Sequence, residues 1–164
     1  MKPNPYAADL GDRDPLDAFG HTPGRLREVV ERWGEERFDR SYAPGKWTAR
    51  QILIHLAQTE LALGTRVRFA LSEPGYTAQA FEQDMWLPLD STVDARTALD
   101  VYTTLRRLNT ALFRSLTDEQ RERTFQHPEY GELTVSWVLR QLAGHDIHHL
   151  RQIEAIPWFV VRHS

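Results

Sequence analysis

Three histidines have the spacing of a metal-binding site. His145 and His149 lie four residues apart in the segment HDIHH, and His55 lies far earlier in the chain. On an α-helix of ~3.6 residues per turn, positions four apart are ~40° apart around the axis, so one ion can contact both. Three neutral imidazoles with one open position are typical of a catalytic zinc-type site, whereas a structural site usually fills all four positions. We therefore predict a divalent metal on His55, His145 and His149.

Such a site requires two facing helices, and the residues around the histidines predict both. Thr48 and Gln51 match a capping box, which begins a helix that should run from residue 49 to about residue 72, where the sequence EPG ends it. Thr134 begins the other helix, in which apolar residues recur at helical spacing until Pro157 ends it.

The histidines on these two helices are expected to face the protein interior. His145 and His149 share the apolar face of the last helix, His148 lies at the edge of that face, and His55 has apolar neighbours. Each could instead be a buried histidine with ordinary hydrogen-bond partners. Two adjacent buried imidazoles both need partners, however, and one shared metal satisfies both. The choice of His55 as third ligand rests on its helix position, and other candidates exist.

The segment HDIHH also resembles the metalloprotease pattern His-Glu-x-x-His, with Asp146 in place of the glutamate. We reject that interpretation because aspartate reaches less far and because no strands are predicted for the active-site sheet. The histidines at 21, 127 and 163 fall in loops or at the terminus, where we expect them to be solvated. His127 would approach the site if its loop folded over the end of the helices.

The remaining pattern predicts an all-α four-helix bundle with long connecting loops. Thr22-Pro23 should begin one helix, which ends at Gly34, and the segment 91–94 should begin another, which ends near residue 116. Thr117 begins a short helix, and residues 125–132 form a connecting loop. Residues 1–20, rich in proline, glycine and aspartate, are expected to be an irregular N-terminal arm, and residues 21–164 the bundle domain.

Composition excludes several functional classes. The 164 residues fit one domain, and a net charge of −3 provides no basic excess for nucleic acid. There is no cysteine, so disulfides, thiolate nucleophiles and cysteine-ligated zinc are excluded. No apolar run reaches the ~18 residues that span a membrane, and no signal-peptide core precedes the domain, so we expect a cytoplasmic protein.

Catalysis at such a metal would require a proton acceptor and residues that orient the ligands. The sequence offers Asp146, Glu60 and Glu82 as acceptors and does not choose among them. A ligand histidine needs an acceptor for its second nitrogen, and Glu60 or Gln152 could supply it. We also expect His148 and Trp86 near the substrate, because Trp86 lies in a loop at residues 81–86 that could line a pocket.

Four segments resemble the DinB-like superfamily, and more specifically its YfiT group of metal-dependent hydrolases. They are GKWTARQ at 45–51 with the following His55, HDIHHLRQI at 145–153, FEQDMW at 81–86 and FQHP at 125–128. The third is similar to that group's Tyr-Asp-Glu-x-x-Trp loop, with Phe81 in place of Tyr and Glu82 in place of Asp. The resemblance extends over about residues 20 to 156.

The resemblance implies an up-down-down-up bundle, zinc or nickel on three histidines that match His55, His145 and His149, and a homodimer. It also implies a small-molecule substrate. Some relatives transfer a low-molecular-weight thiol, such as bacillithiol or mycothiol, to an electrophile.

Three functions therefore remain open at the level of the sequence. The first is metal-dependent hydrolysis, in which the metal activates water. The second is thiol S-transfer, in which the thiol comes from a small cofactor, because the chain has no cysteine. The third is a metal-binding or stress-response module without catalysis.

Overall fold

The structure, a computed structural model, describes residues 2–158. Within that range the chain forms eight helices, a 3₁₀ turn at Leu87–Asp90 and one β-hairpin. The helices are α1 Ala7–Leu10, α2 Pro15–Val30, α3 Glu35–Phe38, α4 Ala49–Ser72, α5 Gln83–Trp86, α6 Ala95–Ser115, α7 Asp118–Arg121 and α8 Val135–Glu154, and the strands are β1 Thr124–His127 and β2 Gly131–Thr134.

The four long helices α2, α4, α6 and α8 form a bundle, which confirms the predicted fold. Helices α4 and α6 run parallel, since Glu60 binds Arg106 while, further along both helices, Arg68 binds Asn109. The other directions follow from two pairs of contacts. Phe19 lies on Phe113 while Arg27 binds Asp100, and His55 lies on His145 while Trp47 lies on His149. Helix α2 is thus antiparallel to α6, and α8 is antiparallel to α4, as in an up-down-down-up bundle.

The helix that carries His55 begins and ends where the sequence predicts. The Thr48 hydroxyl accepts a hydrogen bond from the Gln51 backbone N–H, and the Gln51 side chain accepts one from the Thr48 N–H. This capping box satisfies two N–H groups that a helix otherwise leaves unpaired. Thr134 caps α8 in a similar way through the N–H of Trp137.

The prediction of an irregular segment over residues 1–20 is wrong for its second half, because α2 already begins at Pro15. Asp14 caps it by accepting from the Asp17 N–H, and Pro23 lies inside the helix. A proline in a helix leaves the carbonyl four residues earlier without its N–H partner. Here that carbonyl belongs to Phe19, and it accepts a hydrogen bond from Arg106 Nη1 at 2.9 Å. A tertiary contact therefore stabilises a helix that the local sequence argues against.

The expected loop at residues 125–132 is instead part of the β-hairpin, in which Phe125 pairs with Leu133. Gly131 adopts a φ of +73° at the turn, a conformation that suits glycine. The hairpin is fixed to the chain after α4, because Ala78 N–H donates to the Gln126 carbonyl and Gln126 N–H donates to the Tyr76 carbonyl. Strands of four residues are too short to give a recognisable alternation in sequence.

Buried polar groups on α4, α6 and α8 divide the apolar core into two clusters. One cluster surrounds Ile52, Leu53 and Tyr102, and the other surrounds Phe19, Phe113 and Leu142. The polar groups between them include the three predicted ligand histidines, together with Glu60, Arg106 and Asp146. The site is therefore built into the bundle and not onto its surface loops.

The N-terminal segment packs against α8 beside these polar groups. A Cβ atom at Gly144 would overlap the backbone of Tyr6, so only glycine allows the two segments to approach so closely. Asp9 in α1 reinforces the contact by binding Arg151 Nη1 at 2.6 Å. In residues 2–158 no helix is long and apolar enough to cross a bilayer.

Candidate metal centre

The imidazoles of His55, His145 and His149 converge on one point. The Nε2 atom of His145 lies 2.8 Å from Nε2 of His55 and 3.1 Å from Nε2 of His149. Helix α8 supplies two of the rings from one face, and α4 supplies the third from the opposite side. Their exposed fractions are 1%, 5% and 6%, so bulk water does not solvate them.

Two of these histidines are held in the neutral form. Burial lowers the pKa of His149 to about 3, with a further contribution from His145 nearby. Burial and the two neighbouring rings lower the pKa of His55 even further. His149 Nδ1 lies 2.8 Å from Gln152 Oε1, which can only accept, so the hydrogen-bond network assigns the proton to Nδ1 and leaves a lone pair on Nε2.

The arrangement fits a divalent metal ion. Three Nε2 lone pairs that point at one another repel. A proton shared between two of the Nε2 atoms would form one hydrogen bond and leave the third Nε2 without a donor. His55 Nδ1 and His145 Nδ1 are also buried without a hydrogen-bond partner. Neutral imidazoles are good ligands for zinc, nickel and copper, and three of them leave a coordination position free. Within residues 2–158 these three histidines form the one group with metal-binding geometry.

A buried ion-pair network lies behind His145. Arg106 on α6 contacts the carboxylates of both Glu60 and Asp146, and Tyr102 donates its hydroxyl to Asp146 Oδ2 at 3.0 Å. Burial alone would raise the pKa of Asp146, but Arg106 and His145 together hold this pKa below its usual value. The other oxygen of Asp146 lies 3.7 Å from His145 Nδ1. At this distance the carboxylate forms no hydrogen bond with the ring, but its negative charge favours a proton on Nδ1 and makes Nε2 a stronger ligand.

Aromatic side chains surround the histidines on their remaining sides. Trp47 packs on the rings of His55 and His149, with centroid distances of 4.9 and 6.2 Å. Phe81 stacks on His55 with an angle of 6° between the rings, and Tyr6 meets His145 edge-on at 5.0 Å. These contacts restrict both the rotation of the imidazoles and the access of water.

A cavity of about 410 Å³ opens onto the cluster between α4, α8, the hairpin and the loop after α4. His55 and His145 form part of its wall, so a ligand in the cavity can reach the free position of a metal. The other polar or charged lining residues are Tyr6, Thr59, Arg66, Glu82, Gln83, Asp84, His127, Glu129, Tyr130 and Gln141.

Of the three residues expected as proton acceptors, one lines the cavity and two do not. Asp146 and Glu60 do not line the cavity and are both engaged by Arg106, whereas Glu82 lines it. Gln152 binds His149 as expected, and Glu60 does not contact any of the three ligands.

The other predicted residues lie close to the site without touching its centre. His148 is partly exposed and contacts Asp9 and Gln152. Trp86 packs on Phe81 at 4.9 Å and lines a neighbouring cavity. The expectation that His127 is solvated is wrong, because the hairpin turns it into the cavity wall with 7% of its surface exposed.

Three residues of the site were missed by the sequence reasoning, namely Tyr6, Trp47 and Arg66. Trp47 is part of the segment GKWTARQ, which by itself does not indicate a contact with the histidines, and Tyr6 lies in the segment expected to be irregular. Arg66 carried a usable signal, since it lies eleven residues after His55 and therefore on nearly the same face of α4.

The chain is similar in sequence to proteins of one known family. The model of the DinB superfamily matches residues 18–153. The proposed metal-dependent hydrolase YfiT of Bacillus subtilis is 31% identical over 141 residues, which cover 84% of this chain and 79% of that protein. A proposed metal-dependent hydrolase of Oceanobacillus iheyensis is 30% identical over 131 residues, which cover 79% of this chain and 76% of that protein.

The structural comparison agrees with these sequence matches. The solved structure of Bacillus subtilis YfiT, described as an unusual four-helix bundle, superposes with a TM-score of 0.78 at 30% identity and covers 85% of this chain and 81% of its own. A mycothiol-dependent maleylpyruvate isomerase superposes with a TM-score of 0.71 at 12% identity and covers 85% of this chain and 59% of its own. The second match shows a common fold alone.

Proposed function

This chain belongs to the DinB superfamily, and on that premise we propose that it is a metal-dependent hydrolase of a small molecule. One observation carries the proposal, namely that three histidine Nε2 atoms converge beside a cavity that two of the rings help to line. A zinc or nickel ion on His55, His145 and His149 would lower the pKa of water and polarise a substrate carbonyl.

The protein's own residues prepare this site before any substrate binds. Gln152 holds His149 in the orientation that points Nε2 at the common centre, and the charge of Asp146 favours the tautomer of His145 in which Nε2 is free to bind a metal. Trp47 and Phe81 pack against the rings and exclude bulk water, which strengthens electrostatic interactions inside the cavity.

We assign proton transfer to Glu82. Asp146 is ruled out as the acceptor for two reasons. Its low pKa makes it a poor base, and its ion pair with Arg106 keeps it out of the cavity. Glu82 lines the cavity and follows Phe81, whose ring stacks on His55. Its carboxylate would accept the proton that water loses as it attacks the substrate.

A second candidate is the transfer of a small thiol to an electrophile, and the same cavity supports it. The chain has no cysteine, so the thiol would have to enter as a separate molecule, and about 410 Å³ leaves room for it. The fold shared with a mycothiol-dependent isomerase is compatible with this chemistry.

Turnover assays with zinc- and nickel-loaded protein distinguish these activities. The substrates are a panel of esters, amides and lactones, and a separate panel combines bacillithiol, mycothiol or glutathione with an electrophile. We expect hydrolysis without added thiol. Turnover only with a thiol would identify the activity as thiol transfer and not hydrolysis. Tight metal binding without any turnover would favour a non-catalytic module.

Two variants test the residues assigned here. Glu82→Gln should lower kcat by about 10²- to 10⁴-fold with metal content unchanged, as expected for loss of a proton acceptor. Glu119→Gln, which removes an exposed carboxylate in α7, is the matched control and should retain wild-type activity. An unchanged kcat in Glu82→Gln would contradict the assignment.

We also propose that the protein is a homodimer. Apolar side chains are exposed on α4 and α6, including Leu61 at 50% and Leu108 at 57%. Such side chains are costly to leave in water and are common at interfaces between subunits. Sedimentation equilibrium should give twice the monomer mass, and a monomer at micromolar concentration would contradict the proposal.

A further inference from the structure

Arg66 is a buried cation that faces the cavity without a carboxylate partner. Its exposed fraction is 6%, and within residues 2–158 it forms no salt bridge. Nη2 donates to the carbonyl of Gln79 at 2.8 Å, and Nε and Nη1 form no hydrogen bond within residues 2–158. A buried guanidinium is costly unless it is paired, so an unpaired one requires an explanation.

The other buried arginines in the described residues have partners that Arg66 lacks. Arg106 contacts the carboxylates of both Glu60 and Asp146. Arg37 stacks between two tryptophan rings, at 4.0 and 3.7 Å from their centroids, and donates to the carbonyl of Ile156. Arg66 has no such second partner and instead faces the cavity beside the histidine cluster.

His127 provides a second donor at the same end of the cavity. Its Nδ1 accepts from the backbone N–H groups of Glu129 and Tyr130 at 3.2 and 3.4 Å, which assigns the proton to Nε2. Burial, together with the charge of Arg66, lowers the pKa of His127, so the ring is neutral and donates through Nε2. A guanidinium and a neutral N–H donor in one wall form a receptor for an oxyanion.

We infer that the substrate carries a carboxylate, which binds Arg66 and His127 while the reacting group lies at the histidine cluster. This inference rests on the proposed function, because it assumes that the reaction takes place at His55, His145 and His149. Arg66 follows His55 by eleven residues, about 16 Å along the axis of α4, and side chains on a helix tilt towards its N-terminus, which is the direction of His55. The substrate is therefore an extended acid of several bonds and not a compact one.

The charges in the cavity favour a carboxylate over a phosphate. Glu82, Asp84 and Glu129 line the same cavity, so one guanidinium faces three acidic groups. These carboxylates repel any anion in the cavity, and they repel a dianion more strongly than a monoanion. We therefore expect phosphonates to bind more weakly than carboxylates of the same length.

Hydroxamates, which chelate divalent metals, provide a probe of known chemistry. A series of hydroxamates of increasing chain length, each ending in a carboxylate, a methyl ester or a phosphonate, is titrated into zinc-loaded protein, and Kd is measured calorimetrically. At the best length the carboxylate should bind about tenfold more tightly than its ester, or ~1.4 kcal/mol. This preference should disappear in Arg66→Met and persist in Arg68→Met, a matched control on the same helix whose arginine binds Gly64 and Asn109.

The outcomes separate this inference from the proposed function. Equal Kd values for acid and ester in wild type would overturn the carboxylate site while the metal centre remains. If the phosphonate binds more tightly than the carboxylate, the inferred substrate group is a phosphate and not a carboxylate. If no hydroxamate binds, the metal centre has no open coordination position, which contradicts the proposed function. The anion site is then tested by a measurement on metal-free protein.

That measurement is the NMR signal of Arg66 Nε–H in metal-free protein, assigned by its absence in Arg66→Lys. Glutarate should shift this signal in a saturable way, and the uncharged glutaramide should not. A signal that does not respond to glutarate would overturn the inference, whatever the state of the metal centre. Arg66→Met should also leave the Tm at or above the wild-type value, because it removes an unpaired buried charge.

Discussion

Asp146 turns away from the cavity that its neighbour His145 lines, and its carboxylate forms a buried ion pair with Arg106. The pair links α6 to α8 directly behind a ligand histidine. Arg106 also binds Glu60 on α4 and the Phe19 carbonyl on α2, so one guanidinium contacts the other three long helices of the bundle. The stability of the bundle and the orientation of the ligands therefore depend on the same side chain.

Replacement of Arg106 should be strongly destabilising. Arg106→Met would leave Glu60 and Asp146 buried without a counterion, and breaking a buried pair in this way costs about 3–5 kcal/mol. Urea denaturation should show this as a lower free energy of unfolding. Arg107→Met, at the adjacent exposed position, should change it by less than about 0.5 kcal/mol. A wild-type value for Arg106→Met would mean that the network is dispensable.

Neutralisation of Asp146 should weaken metal binding. Asp146→Asn preserves the shape of the side chain but removes the charge that lies 3.7 Å from His145 Nδ1. Loss of such a partner typically lowers metal affinity about 10- to 100-fold. Competition with a chromophoric chelator measures this directly, and Asp100→Asn, a surface change, is the control. Equal affinity in the two variants would refute this electrostatic role of Asp146.

The three ligand histidines should be individually required for metal binding. His55→Ala, His145→Ala and His149→Ala each remove one of three nitrogens, so purified protein should retain little metal by mass spectrometry. His148→Ala should matter much less, since its ring is partly exposed and contacts Asp9 and Gln152. Stoichiometric metal in all three ligand variants would be incompatible with the proposed centre.

Metal-free protein should become less stable below about pH 6.5. Burial lowers the pKa of His149 to about 3 in the folded state, whereas an unfolded histidine titrates near 6.5. Between these values the unfolded chain binds more protons, so the stabilisation is complete above pH 6.5 and is lost as the pH falls towards 3. At pH 5 the titration of His149 alone should lower the free energy of unfolding by about 2 kcal/mol relative to its value at high pH.

Urea denaturation of the metal-free protein near pH 8 and near pH 5 checks this dependence. His149→Phe should reduce the difference between the two conditions, because it removes the titrating group and keeps the ring. A free energy of unfolding that is equal at both pH values in wild type would contradict the prediction.

Local signals were sufficient to predict the bundle and the positions of the three histidines on it. Capping residues such as Thr48 act within one turn, and the spacing of His145 and His149 fixes their common face whatever they pack against. Such features depend on short-range geometry, which the sequence contains directly.

Features that depend on distant residues were predicted incorrectly or missed. Helix α2 passes through Pro23 because Arg106, far along the chain, binds the carbonyl that the proline leaves free. His127 becomes buried because its hairpin pairs with the chain at residues 76–78. Asp146 and Glu60 were plausible proton acceptors by type, and only the position of Arg106 shows that both are engaged elsewhere.

The close packing of Tyr6 on Gly144 has a consequence for how this chain relates to others with the same fold. Tyr6 forms part of the cavity wall, yet it lies outside residues 18–153, which the family model matches. The three ligands thus come from the part of the chain that the family model matches, whereas the ring that covers His145 comes from outside it. A substitution at Tyr6 would therefore change the shape of the cavity without any alteration to the helices that carry the histidines.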